Sequence, residues 1–164
     1  MNNRQQTTPG CRANEKSTDQ LSTSELWGRL FKASSLDQYL DHTGSQQEMP
    51  EFSVFITKLA ETKKEKPEAI IKRGGIERSY GHRLFSGARN PSRDTVLQFA
   101  FGFEFDSDET QQLLKIARVA PLHPRVKRDA VIAYCLHRHM GFLNTQQLLY
   151  ENGLPLLGGK WDGK

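Results

Sequence analysis

The chain has 164 residues, 36% apolar and 26% charged, with a formal net charge of +4. This length suits one globular domain, or a small domain with an extension, and can bury a core without disulfide or metal staples. No apolar run approaches the ~20 residues that span a bilayer, and residues 1–23 lack the apolar block of a signal peptide, so no membrane partner is expected.

Residues 1–23 are rich in Asn, Gln, Ser and Thr without periodicity, which predicts a disordered tail. An N-terminal helical extension and linker follow over 24–51. Leu26, Trp27, Leu30 and Phe31 share one helical face, with Ser24 as a candidate N-cap. Ser35 opens a second short helix carrying Leu36, Tyr39 and Leu40, and His42 to Pro50 reads as a polar linker. Phe52, Phe55, Ile56 and Leu59 then mark a helix over 52–62.

Residues 66–91, KPEAIIKRGGIERSYGHRLFSGARNP, read as two short helices around a glycine turn. Pro67 suits a first helical turn, where its missing N–H costs nothing. Gly74 and Gly75 end that helix, since glycine adopts the left-handed conformation such a turn needs. A second helix runs from Glu77 to Ser86, and Gly87 stops it. Gly81, Leu84 and Phe85 share its inner face, while Arg78, Ser79, His82 and Arg83 lie on the other. Those four side chains can donate to phosphates and base edges.

Ser92 is a candidate N-cap for a helix bearing Val96, Leu97, Phe99, Ala100 and Phe101. Asp106 or Ser107 caps the next, which holds Leu113, Leu114, Ile116 and Ala117, with acids placed where the helix dipole favours them. Pro121 and Pro124 break the chain. A helix from about Arg125 to Met140 is ended by Gly141, and Asn144 or Thr145 caps a last one that Gly153 and Pro155 stop. Residues 158–164 read as a loose tail. No segment alternates at period two and no internal repeat stands out beyond serial helix pairs, so the chain is expected to be all-α.

Charge placement says more than net charge. Residues 61–93 hold nine Lys/Arg against four Glu, residues 94–114 five acids and no base, and residues 115–139 six bases against one acid. Charged runs are usually solvated helix faces. The coincidence of the first basic block with the two short helices favours a phosphate-facing surface.

The 66–91 stretch, continued by NPSRDTVLQFAFGFEF, resembles the phage-repressor (XRE-like) helix-turn-helix family. The resemblance covers about residues 52–119. It implies a repressor-like five-helix bundle whose second motif helix enters the major groove. It matches Arg78 and Ser79 to the family's base-reading positions and puts Pro67 where a polar phosphate contact is usual. The family has a small residue where Ile71 stands and a branched aliphatic where Gly81 stands. Here the large and small partners are exchanged, which conserves volume across the crossing. The flanks, LWGRL…LDQYL before and ETQQLLKIARVAPLHPRVKRDAVI…TQQLLYENGLPLL after, resemble uncharacterised repressor-like helix-turn-helix proteins of Gram-positive bacteria. These add an N-terminal pair and a C-terminal helix pair, here over 120–157, and carry a regulator label without a known ligand.

Other chemistry has weaker support. Cys135 and His139 share a helix face and His123 could add a ligand, but His137 points elsewhere and no zinc-motif spacing occurs. A buried Cys135 with surface histidines is the plainer reading, and Cys11 in the tail makes a disulfide unexpected. Neither Gly74–Gly75 nor Gly158–Gly159 precedes the Lys-Ser/Thr of a phosphate loop. No enzyme and no cofactor are expected. Tyr80 either packs beside Gly81 or contacts a phosphate, with packing ahead. Trp27 and Phe31 read as core.

The expectation is therefore a cytoplasmic, all-α, sequence-specific duplex-DNA binder that regulates transcription, nucleoid-associated in a bacterium when bound. Its DNA-contacting set is Arg78, Ser79, Tyr80, His82, Arg83, Lys66, Arg89 and Arg93. The alternative is a protein-interaction adaptor with the same bundle, favoured by Pro67 and Gly81. Dimerisation on DNA and an unidentified protein partner or effector fit either. Val131, Ile132, Leu148 and Leu149 need a covering surface, from the 24–42 pair or from a second copy, and the first is expected.

Overall fold

A computed structural model describes residues 22–43 and 49–159, and these are all helix and connection, with no strand among them. The chain divides into two compact units at Met49/Pro50. Among the described residues no helix is long and apolar enough to cross a membrane. The tail expected over 1–23, with Cys11, lies almost wholly outside the described residues, as do residues 160–164 of the expected C-terminal tail.

The first unit holds α1 (Thr23–Lys32) and α2 (Leu36–Thr43). The cap of α1 is Ser22 rather than Ser24. Its hydroxyl accepts from Glu25 N–H while the Glu25 carboxylate takes the Ser22 N–H, a reciprocal capping box. Ser35 caps α2 as expected, accepting from Gln38 N–H at 3.2 Å. Trp27 and Phe31 stack with ring centroids 5.5 Å apart. They are 54% and 78% exposed, so this stripe is not the core it resembled in sequence.

The second unit comprises α3 (Phe52–Thr62), α4 (Pro67–Arg73), α5 (Arg78–Phe85), α6 (Arg93–Gly102), α7 (Ser107–Ile116), α8 (Lys127–His137) and α9 (Phe142–Glu151). Helix α6 runs through its middle and buries every residue from Thr95 to Gly102. Phe99, fully buried, meets Phe52 and Phe85 edge-on at 5.6 Å each. Burial of such a ring stabilises by about 1.5–3 kcal/mol. Helix α4 can lie on α6 because both contribute glycine. A Cβ on Gly74 would fall 2.4 Å from Gln98 O, and one on Gly102 2.5 Å from Ile70 O.

Four helices end by one recurring device. Lys64, Glu104, Arg118 and His139 have positive φ, between 52° and 59°, just past the ends of α3, α6, α7 and α8. The next residue donates to the carbonyl five positions back, as Phe105 does to Ala100 and Met140 to Cys135. This is the Schellman closure on residues other than glycine. Helix α8 therefore stops at His137, and Gly141, expected to end it, is the N-cap of α9. Neither Asn144 nor Thr145 caps α9; Thr145 lies inside it and its hydroxyl donates back to Gly141 O at 3.1 Å. Asp106, not Ser107, caps α7, with a capping box to Glu109.

Helices α8 and α9 pack against α7 and α6. Ile132, Leu149 and, at the edge, Val131 and Leu148 join the core of this unit. The surface that they required is thus α6 and α7.

The absence of an internal repeat does not survive the structure. The hairpin α6–α7 recurs as α8–α9 at an offset of 35 residues, Arg93 to Arg128 and Thr110 to Thr145, with TQQLL present in both. The side chains repeat their work. Gln111 exchanges two hydrogen bonds with the Leu122 backbone, and Gln146 does so with Leu157. Arg93 donates to Ala120 O and Pro121 O, and Arg128 to Pro155 O and Leu156 O. Across the hairpins the pairing is reciprocal. Arg93 grips Asp129 through two bonds of 3.0 and 2.8 Å, and Arg128 grips Asp94 through two of 2.8 Å. In an open stack of repeats Arg128 would reach onward to a third copy. Its return to Asp94 makes the pair closed and pseudo-twofold.

Candidate nucleic-acid interface

Helix α5 begins where Glu77 turns its carboxylate back onto the helix, accepting from Ser79 N–H at 2.9 Å and Tyr80 N–H at 2.7 Å. The Tyr80 and then the Ser79 amide hold this exposed carboxyl below its ordinary range, and Arg83 adds to the effect. Opposite the core, Arg78, Ser79, His82, Arg83 and Ser86 line one open surface with Glu77. Their spacing of three and four places them there, and Gly81 and Leu84 are buried behind. Ser86 extends the set one turn beyond the sequence reading, on the same periodicity.

The orientation of α5 rests on α4 and α3. Ile71 covers Gly81: a Cβ there would stand 2.7 Å from Ile71 Cδ1 and Cγ1, as the exchanged pair implied. Thr57 donates to Phe85 O at 3.3 Å and ties the end of α5 to α3. His82 Nε2 lies 3.7 Å from Glu68 Oε1 on α4.

The remaining expected residues separate. Tyr80 is half-buried with its ring against the core, which is the packing role. Lys66, the N-cap of α4, and Arg89 are exposed. Arg93 does not belong to this surface. Four of its N–H···O bonds go to Asp129 and the carbonyls of Ala120 and Pro121, because the second hairpin supplies acceptors around it. The basic blocks are thinned in the same way. Arg73 is bound by Glu65 and Gly102 O, Lys63 by Phe103 O, and Arg128 by Asp94. Cys135 is buried, and burial raises its thiol against a smaller opposing pull from Thr145. Among the described residues no group of three or more His, Cys, Asp or Glu is placed to hold a metal ion.

No protein-family model, no curated protein and no solved structure matches the chain.

Proposed function

We propose that the chain binds duplex DNA sequence-specifically and regulates transcription, with α3–α7 acting as a repressor-like five-helix bundle and α5 lying in the major groove. The observation that carries this reading is the outer face of α5. Two arginines and two serines stand exposed, with a half-buried histidine between them, on a helix that the Ile71–Gly81 contact fixes to its neighbour. Arg78, at the first turn of α5, reads a base edge, with guanine O6/N7 as its natural bidentate partner. Lys66 and Arg89 add salt-dependent attraction to phosphate. Two copies would take two half-sites, and the protein would work in the bacterial cytoplasm and nucleoid.

One observation favours the adaptor. The Glu77 carboxylate stands at the N-terminus of α5, beside the positions that would face the groove. Selection from random duplex DNA at physiological salt tests the two. An enriched motif is expected, and an unenriched pool would leave the adaptor.

A further inference from the structure

The closed pairing of α6–α7 with α8–α9 gives each place beside the clasp a counterpart 35 residues away. On one side the turn between α4 and α5 is seated. Gln98 Nε2 donates to Gly75 O at 3.1 Å. The Phe142 ring presses on the same glycine, where a Cβ would stand 2.1 Å from it. On the other side the counterparts of Gln98, Phe142 and Thr95 are Ala133, Ser107 and Ala130. All three are smaller, and among the described residues of this unit no counterpart of the α4–α5 turn lines the cavity there. Between them lies a cavity of about 300 Å³, near the lower end of the volumes that hold ligands.

The cavity has a definite chemistry. Ala130, Ala133 and Leu122 give it an apolar lining. The Gln111 amide at its edge is spent on both backbone groups of Leu122. His123 Nδ1 is taken by the Arg125 N–H at 3.1 Å. The charged group left at the rim is the exposed carboxylate of Asp108. An apolar slot beside one carboxylate suits an aromatic ring with a cation next to it. The opposite side shows what kind of molecule this architecture receives, since its occupant is a polypeptide turn.

We infer that this cavity between α7 and α8 is a docking pocket for a partner protein, which inserts an aromatic side chain flanked by Lys or Arg. The inference stands apart from DNA binding, because none of the α5 residues lines the pocket.

The test titrates a capped glycyl-tryptophyl-lysine peptide into the full chain and follows backbone amide NMR shifts. Saturable shifts are expected at Ala130, Ala133 and Asp108. Ala133→Gln, which installs the counterpart residue, should weaken binding about tenfold or more with its melting temperature kept, by occupying the slot. A glycyl-tryptophyl-glutamate peptide should bind about threefold more weakly, the modest effect of one exposed charge. Should Ala133→Gln fail to fold, Ala130→Thr, the milder filling, replaces it. Absence of saturable shifts, binding indifferent to the filling substitution, or equal binding of the two peptides overturns the pocket. Equally tight binding of phenethylammonium alone overturns the protein partner and makes the site one for small aromatic cations.

Discussion

Ile71 sits over Gly81 where α4 crosses α5, with two of its carbons 2.7 Å from where a Cβ on Gly81 would be. Both positions are buried, at the contact that sets how α5 presents its outer face. Gly81→Val should cost about 1–3 kcal/mol by overpacking. Ile71→Ala added to it should restore part of that loss. A double-mutant cycle by urea denaturation measures the coupling, and additive effects would contradict the contact.

Arg78→Ala tests the reading of α5. Arg78 is exposed, so the melting temperature should stay within a degree or two of its starting value. Binding to the selected sequence should fall by about 1–3 kcal/mol, with less change on random duplex. Equal loss on both would reassign Arg78 to phosphate.

The clasp should be costly to open from either end. Asp129, 6% exposed at its side chain, holds Arg93 and also accepts from His123 N–H at 3.0 Å. Asp129→Ala removes the buried acceptor that Arg93 and the His123 N–H share and should destabilise by about 3–5 kcal/mol, although Arg93 keeps its bonds to Ala120 O and Pro121 O. Asp94 is more open, and Asp94→Ala should cost less, about 1–3 kcal/mol. Chemical denaturation of the two variants checks the order, and losses below half a kcal/mol in both would remove the clasp from the stabilising contacts.

Asp94 also predicts a pH dependence. Burial is the largest influence on it and opposes ionisation, but Arg128, the Gly158 amide and Arg93 together outweigh burial and lower its pKa. A lowered folded-state value means that its contribution is complete above the ordinary aspartate range, near 3.9, and is lost as pH falls through the folded-state value. Unfolding free energy should decline on acidification below about pH 4, and less steeply in Asp94→Asn. Parallel slopes for the two proteins would refute this.

Arg118 and Gly153 occupy the same place in the two hairpins, at φ 57° and 63°. Arg118→Gly should therefore stabilise, by about 0.5–1 kcal/mol, through relief of the left-handed strain. Gly153→Ala should destabilise by about 1 kcal/mol. A Cβ on Gly153 meets nothing within 4 Å, so backbone conformation alone is at issue. Thermal unfolding of both variants reads opposite signs if this holds.

Much of the fold was legible locally. Pro67 at the first turn of α4, Ser92 before α6 and Gly87 after α5 stand where short-range rules put them, because caps and breakers act within a few residues. The stop of α8 at His137, closed by the left-handed His139, was not legible. Histidine is enriched at left-handed φ but far less than glycine, so Gly141 two residues on was the stronger local signal; the chain adopts that φ at His139, and Met140 donates to Cys135 O. The repeat was present in the letters, as TQQLL twice, but its other members are spread thinly enough that shared hydrogen bonds reveal it better than shared residues.

The sequence by itself determined the helical class, most helix starts and the outer face of α5, all of which follow from spacing along one helix, while the exchange between Ile71 and Gly81 was implied by the resemblance to the repressor-type family. Only the tertiary structure decided what the charges do. Arg93 looked like a phosphate contact until Asp129, 36 residues away in sequence, came within 2.8 Å of it. A guanidinium is claimed by whichever acceptors folding brings around it, and the long-range packing of α8 against α6 and α7, which no local period encodes, supplies them.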